Sequence, residues 1–159
     1  MSAFDRYAPF VQDFIYRSGW QNLRAIQVAA AEVIFNTDDN LLLTASTASG
    51  KTEAAFFPII TLFSENPPAS VGAIYVGPLK ALINDQFGRL SDLCAQADIP
   101  VWHWHGDVAQ SHKARLLPQG GGDGFALLPG VDEHQALLPP GVLKDIGKAG
   151  VSVLRGLVR

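Results

Sequence analysis

A nine-residue segment of small and hydroxyl-bearing residues, ending in glycine, lysine and threonine, most constrains what this chain can fold into. It runs from Thr44 to Thr52 and reads TASTASGKT. The apolar run Leu41 to Leu43 precedes it, and the residues from Glu53 onward continue with helical character. A strand, a loop and a helix in this order are the context that a phosphate-binding loop requires. The pattern predicts a strand at 41–43, a phosphate-binding loop at 44–52 and a helix that begins near Lys51.

The residue types of this segment each have a chemical reason. Small residues from Ala45 to Gly50 allow successive backbone N–H groups to curl around a phosphate, and the following helix directs its positive dipole end at the same anion. Lys51 would reach the β- and γ-phosphates, and the Thr52 hydroxyl would ligate Mg²⁺. Alanine at position 45 replaces the first glycine of the strict pattern but keeps that position small. ATP or GTP with Mg²⁺ is therefore the first ligand to consider, with Thr47, Ala48, Ser49, Gly50, Lys51 and Thr52 as candidate contacts.

Composition excludes several other classes of protein. The chain has 159 residues, of which 48% are apolar, enough for one packed domain. The formal net charge of −3 gives no global basic field, so nucleic-acid contacts would have to come from local groups or from another domain. A single cysteine, Cys94, rules out disulfide frameworks and cysteine metal clusters, and a core thiol is the expected role. No apolar run reaches membrane-spanning length and charged residues occupy the N-terminus, so a cytoplasmic location is expected.

The hydrophobic pattern predicts alternating helices and strands up to residue 117. Two helices are expected at 4–17 and 22–36, separated by Ser18-Gly19-Trp20. The helix after the loop should run to about Phe63, ahead of Asn66-Pro67-Pro68. A strand at 71–76, a helix from Pro78 to about Ala97 and a strand at 99–104 follow. Strands separated by helices of this length predict right-handed crossovers and a parallel sheet, as in half of a nucleotide-binding α/β fold.

The composition changes after residue 117. Most of the chain's 15 glycines follow that position, and a helical or strand pattern returns only near 142–157. The predicted division is a nucleotide-binding part at 1–117 and a glycine- and proline-rich segment of undetermined structure at 118–159. A flexible tail, a divergent region and a stretch out of frame relative to the gene's ancestor would each explain the change.

Four stretches together resemble the first motor lobe of superfamily 2 helicases of the DEAD/DEAH-box class, nearest to the large Lhr-type members. Thr44 to Ala54 is similar to motif I, Pro78 to Gln86 to motif Ia, and Trp104 to Asp107 to the next conserved turn. Upstream, Arg24 and Gln27 match the Arg-x-x-Gln pattern of these helicases. The similarity covers roughly residues 10–117. It implies a RecA-like P-loop NTPase lobe, α/β with a parallel sheet and N-terminal helices, and incomplete in this chain.

The resemblance also implies ligands for these stretches. In such helicases the Arg-x-x-Gln pair reads the adenine edge, and an amide such as that of Gln27 offers both a donor and an acceptor to it. Motif Ia and the turn lie beside the bound strand, which implies that the chain binds single-stranded or duplex DNA or RNA. The corresponding residues here are Pro78, Lys80, Ala81, Gly106 and Asp107. Taken alone, Pro78 as a first helical residue would leave N–H groups free for an anion, although a capped helix with a solvated lysine fits equally well.

An acidic pair that holds Mg²⁺ and orients the attacking water is also required of a working motor. The candidate pair is Asp132 and Glu133, which follow an apolar run interrupted by Pro129-Gly130. The next residue, His134, stands one position earlier than in the Asp-Glu-x-His form that the resemblance implies. A separate pair, His103 and His105, would face one side of a strand, but it lacks a third metal ligand at suitable spacing.

The sequence thus predicts the ATP-binding portion of an ATP-dependent DNA or RNA helicase or translocase that does not unwind by itself. A second polypeptide could supply the rest of the motor. The alternatives are a nucleotide-binding module without catalysis, a gene fragment that does not fold stably, and a small P-loop kinase or other NTPase. Few arginines follow Arg115, which argues against the kinase because its lid would need them.

Overall fold

The computed structural model of the chain describes residues 2–46, 48–67, 71–77, 80–103, 124–129 and 152–155. They belong to two compact units, Met1–Glu65 and Asn66–Arg159. Among the described residues, those of the first unit form four helices and the phosphate-loop segment, and those of the second unit form a parallel sheet and one helix.

The helices described in the first unit are α1 (Ala3–Arg6), α2 (Pro9–Arg17), α3 (Ala25–Asn36) and α4 (Lys51–Glu65). The prediction of one helix over 4–17 was wrong, because the chain is extended at Tyr7 and Ala8. Pro9 explains the break: a proline disfavours helical backbone in the residue before it and is itself well suited to a helix start. Arg24 is also extended, so α3 begins three residues later than predicted.

The core of the first unit forms around Phe57 of α4. Its ring packs against Tyr7, Phe14 and Trp20, with ring centroids 5.8–6.1 Å apart. Residues 54–61 of α4 are all buried, including Pro58 inside the helix. The Thr61 hydroxyl accepts a hydrogen bond from the Ala8 N–H at 3.1 Å and donates one to the Phe57 carbonyl at 2.9 Å. The helix that follows the phosphate-loop segment is therefore anchored in the core along two turns.

The segment Leu41 to Leu43 is not a strand in the structure, contrary to the prediction. The Leu42 side chain is 81% exposed, so the burial that would favour a central parallel strand is not realised there. This run of three residues is also shorter than most strands, and so short a run forms a strand only where a neighbouring strand pairs with it.

The described strands of the second unit are β1 (Val71–Gly77), β2 (Val101–His103), β3 (Gly124–Pro129) and β4 (Ser152–Arg155), and its helix is α5 (Lys80–Ala95). The strands form one sheet in the order β2-β3-β1-β4, and each neighbouring pair is parallel. The predicted strands at 71–76 and 99–104, the helix between them and the parallel sheet are confirmed, with bounds that differ by a few residues. Trp104 and the predicted start of the helix at Pro78 lie outside the described residues.

Strands β3 and β4 lie in the segment after residue 117. The sequence pattern predicted no strand at the position of β3, and at the position of β4 it left open whether a helix or a strand forms. β3 lies between β1 and β2, and its register joins Ile74 to Ala126 and Gly77 to Pro129. The expectation that regular structure ends near Leu117 was therefore wrong. A short apolar run such as Phe125 to Leu128 is typical of a central strand in a parallel sheet, and Pro129 is tolerated because it stands at the strand's end.

Helix α5 ends in a turn centred on Asp98, whose φ is +54°. The Ile99 N–H donates to the Cys94 carbonyl at 3.0 Å, and the Asp98 N–H donates to the Ala95 carbonyl at 3.4 Å. Both bonds are those of a Schellman motif. Cys94 is buried as predicted, and burial raises the pKa of its thiol to about 12. Within the described ranges, every helix is too short or too polar to span a bilayer.

Candidate functional site

Two residues of the loop before α4 have an uncommon backbone conformation. Ala48 and Gly50 both adopt left-handed conformations, with φ of +58° and +83°. Such a conformation suits glycine, but it costs an alanine about 1–2 kcal/mol. The first helical hydrogen bond of α4 runs from the Ala54 N–H to the Gly50 carbonyl at 2.9 Å. The first turn of α4 therefore follows the loop directly, and the N-terminal turn of a helix is a place that favours an anion.

The Lys51 side chain turns back over this loop. Its Nζ donates to the Ala45 carbonyl at 2.7 Å and to the Ser46 carbonyl at 2.6 Å. The Ser49 hydroxyl oxygen is a further acceptor at 3.5 Å. These contacts fix the ammonium group on the loop just ahead of the helix, where it can bind the same anion as the backbone N–H groups.

Two side chains from the start of α3 support the loop from the other side. The Arg24 N–H donates to the Gln27 Oε1 at 2.9 Å, and the Arg24 Nη1 donates to the Ala48 carbonyl. Gln27 is completely buried, and the described residues supply no hydrogen-bond partner to its Nε2. A Cβ on Gly50 would lie 2.6 Å from that Nε2, so any side chain at position 50 would displace the Gln27 amide.

These residues fit a nucleoside triphosphate. The loop offers backbone donors and one lysine to phosphate oxygens, and the glycine at position 50 leaves room for the Gln27 amide beside it. The half-buried Thr52, second residue of α4, has a hydroxyl of the kind that ligates Mg²⁺ in phosphate loops. The Gln27 amide retains an unpaired donor, and its Oε1, which accepts from Arg24, has a second lone pair. Such an amide can pair with the edge of a base only if the residues that bury Gln27 move aside, because the side chain is completely buried.

The structure thus places most of the predicted nucleotide contacts together. They are Arg24, Gln27, Ala48, Ser49, Gly50, Lys51 and Thr52, all in the first unit. Thr47 lies outside the described residues. The sequence pattern did not predict the contacts of Arg24 with Ala48 and of Gln27 with Gly50. The signal was the spacing of three between Arg24 and Gln27 at a helix start, which is the spacing of a capping box.

The predicted nucleic-acid contacts are described only in part. Lys80 is the first residue of α5, and Ala81 is exposed in its first turn. Pro78, Gly106, Asp107, Asp132, Glu133 and His105 lie outside the described residues. His103 ends β2, and the described residues contain no group of three or more potential metal ligands.

Comparisons with known proteins identify relatives among the helicases. The chain is 36% identical over 81 residues to the DExH-box ATP-dependent RNA helicase DExH12 of Arabidopsis thaliana. The matched segment covers 51% of this chain and 4% of that protein. It is 32% identical over 104 residues to the activating signal cointegrator 1 complex subunit 3-like protein of Dictyostelium discoideum. This match covers 60% of this chain and 5% of that protein. The chain thus spans a small part of the curated relatives that it matches.

Solved structures of helicases have a similar fold. The DUF1998 helicase MrfA bound to DNA and AMPPNP superposes with a TM-score of 0.66 at 20% identity, over 79% of this chain and 17% of that one. The RNA helicase Prp28 from Chaetomium thermophilum bound to ADP superposes with a TM-score of 0.62 at 22% identity, over 89% of this chain and 32% of that one. At these identities the likeness concerns the fold alone, which is that of helicase motor domains.

The family model described as DEAD/DEAH box helicase matches residues 24–134. The match begins at Arg24 and ends at His134, so it contains the loop, both predicted nucleic-acid stretches and the candidate acidic pair. Members of this family use ATP with Mg²⁺ in general. Because this match covers well over half of the chain, the chain belongs to the DEAD/DEAH box helicase family.

Proposed function

We propose that the chain is the ATP-binding portion of an ATP-dependent DNA or RNA helicase or translocase, built as a RecA-like P-loop lobe and not sufficient for unwinding alone. The observation that carries the proposal is the loop geometry. Lys51 lies on the Ala45 and Ser46 carbonyls, left-handed Ala48 and Gly50 shape the backbone, and α4 begins at the same point.

In this proposal each described residue of the loop has a separate task. Lys51 binds the β- and γ-phosphates, and the backbone N–H groups of Ala48, Ser49 and Gly50 bind phosphate oxygens, together with the Thr47 N–H. The Thr52 hydroxyl holds Mg²⁺, which when bound would supply the positive charge that offsets the phosphates. The loop must be rigid for this task, because a pre-shaped site loses little entropy when the anion binds.

Gln27 and Arg24 would recognise the base. Once the residues that bury Gln27 move aside, its unpartnered Nε2 can donate to a ring nitrogen, and the free lone pair of its Oε1 can accept from an exocyclic amino group. Adenine presents this combination of acceptor and donor. Arg24 is exposed and stands beside Gln27, which supports a contact with the same nucleotide.

A nucleic-acid strand would bind the second unit. The candidate contacts are Pro78, Lys80, Ala81, Gly106 and Asp107. Ala81, in the first turn of α5, is exposed, and the N-terminal turn of a helix attracts phosphate. The printed names of the relatives include RNA helicases, and one similar structure holds DNA, so both acids are candidates for this chain.

Asp132 and Glu133 are the candidate acidic pair. They come three and four residues after β3, a strand of the sheet that continues through Pro129. The proline therefore gives no reason to reject the pair, and the family match that extends to His134 supports it. The position of His134, one residue early, still argues for slow hydrolysis.

The proposed division assigns residues 1–117 to the nucleotide-binding part and 118–159 to a C-terminal segment that contributes β3 and β4 to the sheet. Unwinding by this family requires two lobes that close on ATP, so a second lobe, in a longer chain or a separate polypeptide, would complete the motor. The proposal includes a cytoplasmic site of action.

The second candidate function is a nucleotide-binding module without catalysis. It shares the loop and differs only in the acidic pair, whose histidine is displaced. Turnover therefore separates the two functions, and binding alone does not.

The test is equilibrium binding of a fluorescent ATP analogue with Mg²⁺ to the full chain, with phosphate release recorded on the same samples. Lys51→Ala should weaken binding at least about tenfold, because it removes a charge-assisted contact to phosphate. Arg17→Ala, which removes an exposed cation from α2, is the matched control and should bind like the unaltered chain.

Binding that depends on Lys51, with slow turnover that single-stranded nucleic acid does not raise, would support the incomplete motor. Turnover abolished by Asp132→Asn would identify a working acidic pair. Undetectable binding by the unaltered chain, under conditions where circular dichroism reports a folded protein, would refute the proposed function. A chain that aggregates and lacks a cooperative thermal transition would be the unstable gene fragment.

A further inference from the structure

Ala48 is held in a conformation that alanine does not favour. Its φ of +58° places it in the left-handed region, as does the φ of +83° at Gly50 two residues later. Glycine adopts this region freely, whereas the Cβ of alanine crowds the following carbonyl oxygen. Strained residues of this kind persist only where surrounding contacts hold them. The contact that holds Ala48 is therefore important for the shape of the loop.

The Arg24 side chain supplies such a contact. Its Nη1 donates to the Ala48 carbonyl, and its Cδ lies 3.4 Å from the position that a Cβ on Gly50 would take. The Arg24 backbone is fixed, because its N–H donates to the Gln27 Oε1 at 2.9 Å and its carbonyl accepts from the Gln27 and Val28 N–H groups. The guanidinium is thus a donor on a rigid support, directed at the carbonyl of the strained residue.

We propose that Arg24 is a positioning residue for the phosphate loop: its guanidinium holds the Ala48 carbonyl and thereby keeps the loop backbone in the shape that binds phosphate. This role is distinct from reading the base, and for its ligand it rests on the proposed function. It makes a specific demand on position 48. A glycine there would need no such support, whereas an alanine does.

Charge alone would produce a different pattern. If the arginine only attracts phosphate, its removal should weaken ligand binding by the same factor whether position 48 is alanine or glycine. If the arginine only contacts the base, its removal should weaken the binding of ATP and leave the binding of a ligand without a base unchanged. Dependence on the residue at position 48, observed with a ligand that has no base, is unique to the positioning role.

The experiment compares four full-length chains: unaltered, Arg24→Ala, Ala48→Gly and the double variant. Mg²⁺-tripolyphosphate, which lacks a base, is the competing ligand against the fluorescent ATP analogue. Arg24→Ala should weaken tripolyphosphate binding about tenfold, the factor that corresponds to the cost of a left-handed alanine. In the Ala48→Gly background the same substitution should weaken it less than about twofold, because glycine needs no support.

Two further variants sharpen the comparison. Arg24→Lys keeps a single donor on a flexible chain and should fall between arginine and alanine. Arg17→Ala removes an exposed cation from the same unit and should leave tripolyphosphate binding unchanged. Thermal unfolding without any ligand provides an independent reading: Arg24→Ala should lower the midpoint by about 2–4 °C in the Ala48 background and by less in the Ala48→Gly background.

Equal losses of tripolyphosphate affinity in both backgrounds would overturn the proposal in favour of simple charge attraction. Unchanged tripolyphosphate affinity with weakened ATP binding would overturn it in favour of base reading. If the unaltered chain binds neither ligand, the proposed function fails, and the unfolding comparison still decides: coupling between positions 24 and 48 supports the positioning role, and additive effects refute it.

Discussion

The amide nitrogen of Gln27 lies directly against Gly50, at a place where a methyl group on the glycine would be 2.6 Å away. The first turn of α3 and the phosphate loop are thus packed so closely that a side chain at position 50 would displace the Gln27 amide. The Gly50 φ of +83° independently favours glycine at this position. The contact with Gln27 and the positive φ both predict that a larger residue at position 50 will weaken the loop.

Gly50→Ala should weaken ATP binding at least about tenfold and lower the free energy of unfolding by about 1–3 kcal/mol. Left-handed alanine costs about 1–2 kcal/mol, and the displaced Gln27 amide adds to it. Gly88→Ala in α5 is the matched control, because a Cβ there meets no atom within 4 Å. That substitution should stabilise the chain by about 0.5–1 kcal/mol, since alanine favours a helix more than glycine does. Nucleotide titration and denaturant unfolding measure both effects, and an unaffected Gly50→Ala chain would contradict the loop geometry.

Much of the phosphate-loop region could be predicted because its determinants are local. The small residues of the loop, the helix after them and the position of Lys51 all follow from backbone geometry over a few residues. The break before Pro9 could also have been predicted, because proline restricts the residue before it, but the helical pattern on both sides favoured a single helix. The contact between Arg24 and Ala48 was not readable, since it joins positions 24 residues apart.

The sheet shows where sequence patterns fail for a physical reason. Leu41 to Leu43 and Phe125 to Leu128 are similar apolar runs, yet only the second is a strand in the structure. A strand is defined by the neighbours that complete its ladder, and those come from distant parts of the chain. β3 pairs with β1 and β2, which fixes it as a strand despite the proline at its end.

Thr61→Val should destabilise the first unit by about 1–3 kcal/mol. The hydroxyl bonds the Ala8 N–H and the Phe57 carbonyl, and valine of nearly equal shape would leave a buried N–H unpaired. Thr61→Ser retains the hydroxyl and should recover at least half of the loss. Urea unfolding measures the difference, and equal stability of the valine and serine variants would show that the hydroxyl contributes little.

Two helix ends with the same hydrogen bonds should respond oppositely to substitution. After α2, the Trp20 N–H donates to the Ile15 carbonyl around left-handed Gly19, and after α5 the equivalent bond spans left-handed Asp98. Gly19→Ala should cost about 1 kcal/mol, whereas Asp98→Gly should gain up to about 1 kcal/mol, because glycine suits this position. A Cβ on Gly19 would meet no atom within 4 Å, so conformation alone determines the cost. Thermal unfolding of both variants tests this, and changes of the same sign would contradict it.

Tyr7→Phe should leave stability at pH 7 unchanged or raise it by up to about 1 kcal/mol. The Tyr7 ring is 2% exposed between Phe35 and Phe57, and the described residues provide its hydroxyl with no hydrogen-bond partner. Removing a buried, unpaired hydroxyl therefore sacrifices no contact.

The same variant should change the dependence of stability on pH. Burial raises the pKa of Tyr7 from 10.0 to about 12, so between these values the unfolded chain releases the phenol proton while the folded chain retains it. The free energy of unfolding should consequently be independent of Tyr7 below about pH 10 and fall as the pH rises from 10 to 12. Tyr7→Phe should reduce this fall without abolishing it, because burial also raises the pKa values of Tyr75 and Cys94. Urea unfolding at pH 8, 10 and 11.5 measures the effect, and identical pH profiles for the two chains would show that Tyr7 ionises in the folded state as freely as in water.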